Sequence, residues 1–286
     1  MRLLSAIHKS VLSLLLLAGV AFLAMPAAGA DSAALTPSLE AGYRQMYNLD
    51  FDRAHTIFRA WEAAHPNDAI GPVSNAAAYL FSEFNRLHIL ESELFIDNDR
   101  FAKRKKQVPD PQTRAAFDRE LAKGDEIAGR ILANSPQDAN ALFAKVMANG
   151  LRGDYAAMIE KRNMAGLGYM KAGRLLAQKL LAQDPSYYDA YLAIGVENYM
   201  LGVSSAPVRW FLRLGGAETN KEDGIAKLRI TAEKGHYLAP YARLLLAVAA
   251  LRDRDRETAR RLLSGLADEF PQNQLYRKEL AQLQLP

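Results

Sequence analysis

The chain contains no cysteine. Disulfides, thiolate metal sites, a cysteine nucleophile and a lipidated N-terminal cysteine are therefore excluded, and burial has to hold the fold together. Histidine is also scarce: four of the five lie beyond residue 30 (His55, His65, His88, His236), and none forms a two-histidine helical motif. His88 and Glu91 come nearest to a ligand pair, but a helical metal site needs several such groups converging from other helices, so neither a metal nor a cofactor is expected. No large excess of one charge exists either. Thirty-six Lys plus Arg against 32 Asp plus Glu leave +4, and Arg2 and Lys9 are the only Lys, Arg, Asp or Glu among the first thirty residues, so the rest carries +2. That excludes reading the whole chain as a nucleic-acid binder. Strand-length alternation of apolar and polar residues is missing as well, and nearly every segment follows a 3.6-residue period, so an all-α fold is expected.

Nucleophile-elbow and zinc-protease motifs are absent, as is any distinctive carboxylate pair, so the sequence gives catalysis little support. Gly166, Gly168 and Gly173 lack the spacing, preceding strand and Gly-Lys-Ser/Thr ending of a phosphate loop, and read as helix-packing glycines.

Long apolar runs are limited to one, residues 11–23. Arg2 and Lys9 precede it, and Pro26 and the small tripeptide Ala28, Gly29, Ala30 follow it, in the order of a cleavable export signal. The run falls short of the roughly twenty residues that span a bilayer. Residues 1–30 are thus expected to be removed after Ala30. Residues 31–286 would then form one helical domain outside the cytoplasm, periplasmic or secreted.

Four prolines set a register through that domain: Pro66, Pro136, Pro185 and Pro271. Twelve residues before them stand Ala54, Gly124, Gly173 and Ala259; eight before, Phe58, Ala128, Ala177 and Leu263; five before, Trp61, Ile131, Leu180 and Leu266. Offsets of four and three put these on one helix face, with a small residue where a neighbour approaches closely, and proline ends the helix.

This pattern resembles the second helix of a tetratricopeptide repeat. Gly42 twelve residues before Ala54, and Tyr191, Leu192, Ala193, Ile194 and Gly195 after Pro185, are similar to the family's first helix. The unit from Pro240 to Pro271, with Leu246, Ala247 and Ala250, is the most regular. Ala232, Glu233, Lys234, Gly235 and His236, followed by Ala239, resemble the related Sel1-type repeat. The resemblance implies an α-solenoid of about five antiparallel helix pairs, with first helices lining a concave groove that holds extended peptide.

Proline intervals of 70, 49 and 86 residues, against multiples of about 34, imply lengthened units. Helices are expected over about 70–95 and 111–134, the latter capped by Asp110 with Pro111 at its first position, around an irregular basic loop 97–110. A long helix is expected over 154–182, with Gly153, Asp154 and Tyr155 at the preceding turn, and Leu49, Asp50 and Phe51 at an earlier one. Residues 203–219 read as an insertion, closed by a capping box, Thr219 to Glu222, for a helix stopping at Gly235.

Candidate contacts follow from these placements. Tyr188, Tyr191, Asn198 and Tyr199 cluster on one first helix, and Asn149 lies 49 residues before Asn198. Arg209 and Trp210 lie in the insertion, where aromatic and Arg side chains suit recognition or a plug of the superhelix. Lys103, Arg104, Lys105 and Lys106 form the densest charge run, fit to touch an anionic surface or to remain a solvated loop. The expected function is a non-catalytic scaffold holding a protein or peptide of the cell envelope. The alternatives are a helical protein enclosing a small ligand or lipid under the Trp210 insertion, and an envelope hydrolase with dispersed acids.

Overall fold

A computed structural model describes residues 38–90, 106–203 and 220–284. Among these residues every regular element is helical: α1 (Leu39–Tyr47), α2 (Phe51–Ala64), α3 (Ile70–Arg86), α4 (Pro111–Asn134), α5 (Ala139–Asp154), α6 (Asn163–Gln183), α7 (Tyr191–Gly202), α8 (Lys221–Lys234), α9 (Ala239–Arg252), α10 (Arg256–Glu269) and α11 (Gln274–Gln284). Each helix packs on its neighbour in the chain, giving five sequential pairs and a last helix, and α3 also touches α1 and α5. The all-α expectation holds.

The four proline-marked stops end alike. α2, α4, α6 and α10 each stop two residues before the proline, with cap residues His65, Ser135, Asp184 and Phe270 at φ between −124° and −133° and ψ between 65° and 88°. Each cap N–H donates to the carbonyl of the residue five before the proline, Trp61, Ile131, Leu180 or Leu266. The residues eight before, Phe58, Ala128, Ala177 and Leu263, are all buried. The small residues twelve before are buried too. At Gly124 the reason is direct, since a Cβ would lie 2.5 Å from Val73 Cγ2 of α3.

Asp110 caps α4, accepting from the Thr113 amide at 2.7 Å with Pro111 in the first turn. Asp50 caps α2 after Leu49, which sits at φ 65°. Three expected boundaries are corrected. The helix expected from 154 starts at Asn163, because α5 runs through Asp154 into a π-helical turn, Tyr155–Ile159. Gly153 is therefore inside a helix, where a Cβ would sit 3.5 Å from the Gly166 carbonyl, and Gly166 meets Ala157 in the same close crossing. The N-cap of α8 is Asn220, whose Oδ1 accepts from the Asp223 amide at 3.0 Å. That helix does stop at Gly235. α3 ends at Arg86, short of the expected 95, with His88 at φ 57° beyond its end.

Candidate functional site

Aromatic residues of α1 meet Tyr237, Phe270 and Asn273, far along the chain. α1 buries Leu39, Tyr43, Met46 and Tyr47, one face of a short helix. The Tyr43 ring stacks on Tyr237 with centroids 5.1 Å apart and meets Phe58 edge-on at 5.4 Å. Its hydroxyl pairs with Ser74 Oγ of α3 at 3.0 Å and reaches Met147 Sδ of α5. Tyr47 donates its hydroxyl to the Tyr237 carbonyl at 2.9 Å, and its ring lies 5.4 Å from Phe270. Asn273 in turn donates to the Tyr47 carbonyl at 2.9 Å, and the Gln272 amide to Asn48 Oδ1 at 3.2 Å. A contact between His236 and Glu40 completes this meeting of the first helix with the α8–α11 region.

Asp189, just before α7, organises the start of α9. Its carboxylate is buried and accepts from the amides of His236, Tyr237 and Leu238 at 2.9–3.0 Å. Beside this region Phe81 of α3 meets Tyr241 of α9 at 5.4 Å, and Tyr241 hydrogen-bonds Asp154 at the end of α5. Burial pushes the Asp154 carboxyl up to about 7, against the opposing pull of the Tyr241 bond. The tyrosine hydroxyls are likewise pushed upward by burial, Tyr237 to about 12, so at neutral pH they are neutral hydrogen-bonding groups.

A second polar chain links α2, α3 and α4. His55 Nδ1 pairs with Asn75 Oδ1 at 2.6 Å, Asn75 donates to Glu62 Oε1 at 3.0 Å, and Lys123 reaches Glu62 Oε2 at 2.5 Å. The His55 ring lies against Tyr79, at 3.9 Å between centroids. Burial lowers the His55 pKa, so the ring is neutral, with Nδ1–H donating to Asn75. Burial, and then the Glu62 charge, push the neighbouring Glu120 carboxyl up to about 7. Among the described residues no group of three or more His, Asp or Glu is placed to hold a metal ion.

The sequence-chosen contact residues are dispersed into structural roles. Asn198 and Tyr199 are buried, and Asn198 donates to Asp223 of α8 at 2.7 Å. Asn149 donates to the Lys145 carbonyl of its own helix at 2.8 Å. Tyr188 and Tyr191 are half-buried, beneath the ammonium groups of Lys234 and Lys227 at 5.3 and 5.7 Å. Tyr188 also accepts at its carbonyl from Thr231, and the Tyr191 hydroxyl donates to the Pro185 carbonyl. Lys106 is exposed. Arg209, Trp210, Lys103, Arg104 and Lys105, with Glu91, Thr219 and the leader 1–30, lie outside the described residues.

Sequence reasoning missed Asp189 and the Tyr43, Tyr47, Tyr237 cluster. The spacing of Tyr43 and Tyr47, on one face with Leu39, was the available signal; for Asp189, whose donors lie 47–49 residues away, the local sequence holds none. Comparisons with protein-family models, with curated proteins and with solved structures find no match.

Proposed function

We propose that this chain is a divergent tetratricopeptide-like array of five antiparallel helix pairs that works as a non-catalytic scaffold for a protein or peptide partner of the cell envelope. Residues 1–30 act in this reading as its export leader. The repeated cap geometry and the sequential packing of α1 to α10 support the repeat assignment, and α11 serves as the closing helix that such an array needs.

The observation that carries the binding role is the outer face of α6. Leu175 is 50% exposed on a helix whose opposite side, Gly166, Gly173, Ala177 and Leu180, is buried, and which packs on α5. α6 has no acidic residue in its 21 positions. A large apolar side chain left in solvent on a rigid helix that carries no acid suits a partner's apolar side chains. In this reading the cluster of Tyr43, Tyr47 and Tyr237 fills the concave side, so the partner is expected on the second-helix face. Tyr188 and Tyr191 are the accessible members of the residues first chosen for the groove.

In affinity capture from envelope extract, the wild-type chain is expected to retain one specific protein that the Leu175→Glu variant loses. Capture of the same proteins by both would remove the α6 face from the account, and recovery of none would remove the scaffold role.

A further inference from the structure

One corner of the molecule combines exposed apolar side chains with cations. The two most exposed large apolar residues among those described are Val108, at 80%, and Met164, at 78%. They are far apart in sequence, but the Gln107 amide donates to the Ile159 carbonyl at 3.1 Å, which fastens segment 106–108 to the turn that starts α6. Arg86 secures the same segment from α3, donating to the Val108 carbonyl at 2.9 Å.

Lys106 and Lys161 are exposed beside these residues, Arg162 is 65% exposed and Arg86 50%. Lys161 is held at φ 59°, in the turn that follows the π-helical end of α5. The acids of the corner are engaged within the protein. Glu83 is buried, gripped by Arg86 and by the Asp110 amide. Glu160 bridges Arg114 and Arg162 at 3.2 Å each, and Asp110 caps α4. Arg86 and Arg162 offset Glu83 and Glu160, so the corner's excess positive charge rests on Lys106 and Lys161, beside the apolar Val108 and Met164.

We infer that the corner formed by Arg86, Lys106, Val108, Lys161, Arg162 and Met164 docks on an anionic phospholipid surface, with Val108 and Met164 entering the headgroup layer. Cations near such a surface are drawn to its negative potential, and apolar side chains between them gain by leaving water. Charge complementarity selects anionic over zwitterionic lipid, and the two protruding apolar groups select a bilayer over a soluble polyanion. The attachment would hold the scaffold at a membrane by the N-terminal end of α6, about 16 Å along that helix from Leu175.

The test is flotation of the full chain with vesicles of phosphatidylcholine, with and without about one-third phosphatidylglycerol. The leader's apolar run is common to all variants, so differences between variants report on the corner. Binding is expected to be stronger with the anionic vesicles, by a margin that shrinks as salt is raised. It should fall about tenfold or more in Lys161→Glu/Arg162→Glu, and several-fold in Val108→Asp/Met164→Asp. These side chains are exposed, so both variants should keep the wild-type circular dichroism and melting. Equal binding to both vesicle types, or wild-type binding by both variants, overturns the proposal. Loss of vesicle binding with capture of a polyglutamate peptide through the same residues also overturns it, in favour of an acidic protein partner.

Discussion

At Asp154 the carboxyl is held at about 7, from an ordinary 3.8, chiefly by burial. A carboxyl whose folded pKa lies above its unfolded value binds more protons when folded, so its contribution to stability declines as pH rises from about 4 to about 7. Glu120 adds a change of the same sign and His55, lowered by burial, one of the opposite sign that weakens the fold below about pH 6.5. Asp154→Asn is therefore expected to raise stability more near pH 8 than near pH 5, with a difference of about 1–3 kcal/mol between the two. Urea unfolding at the two pH values checks this, and an equal effect at both would contradict it. Asp189→Ala deprives three amides of their acceptor and should cost about 2–4 kcal/mol in the same assay. The Asp110 cap was legible because an N-cap is a local pattern. The buried hydrogen bonds of Asp189 and Asn75 were not, since their partners belong to other helices.

Between elements, closeness of backbone decides which substitutions the pairs tolerate. A Cβ on Gly224 of α8 would lie 2.5 Å from the Tyr199 amide nitrogen of α7, and backbone cannot step aside as a flexible side chain can. Gly224→Ala is expected to cost about 2–4 kcal/mol. Gly168→Ala on α6, where a Cβ meets nothing within 4 Å, should instead gain about 0.5–1 kcal/mol from helix propensity. Thermal melts of the two variants check the contrast, and destabilisation by both would contradict it. The helix stops were legible at this scale because proline acts on its own backbone, and all four stops fall where expected. The α5–α6 boundary was misread because Gly153, Asp154 and Tyr155 look like a turn in sequence. There the glycine serves a helix crossing and the chain turns at 160–162 instead.

Over the whole molecule, α1 is held by residues that follow it by up to 226 positions, as in the hydrogen bond from Asn273 to the Tyr47 carbonyl. Pairing at that separation leaves no periodic trace, so the sequence could not show that α1 meets residues 236–273. A chain whose α1 is held by residues just before α11 should also unfold in one transition rather than fray from either end. The absence of native cysteine gives a clean probe: Asn48→Cys/Gln272→Cys should form a disulfide on oxidation and raise the melting temperature by several degrees. The account's central claim, that the chain's own first helix docks on the residues before α9 and α11, is tested most directly by native-state hydrogen exchange. Amides of α1 and of residues 236–238 and 272–273 are expected to be protected to within about 1–2 kcal/mol of the most protected core amides of α5. Exchange of α1 at the rate of an unprotected peptide, with α5 still protected, would contradict it.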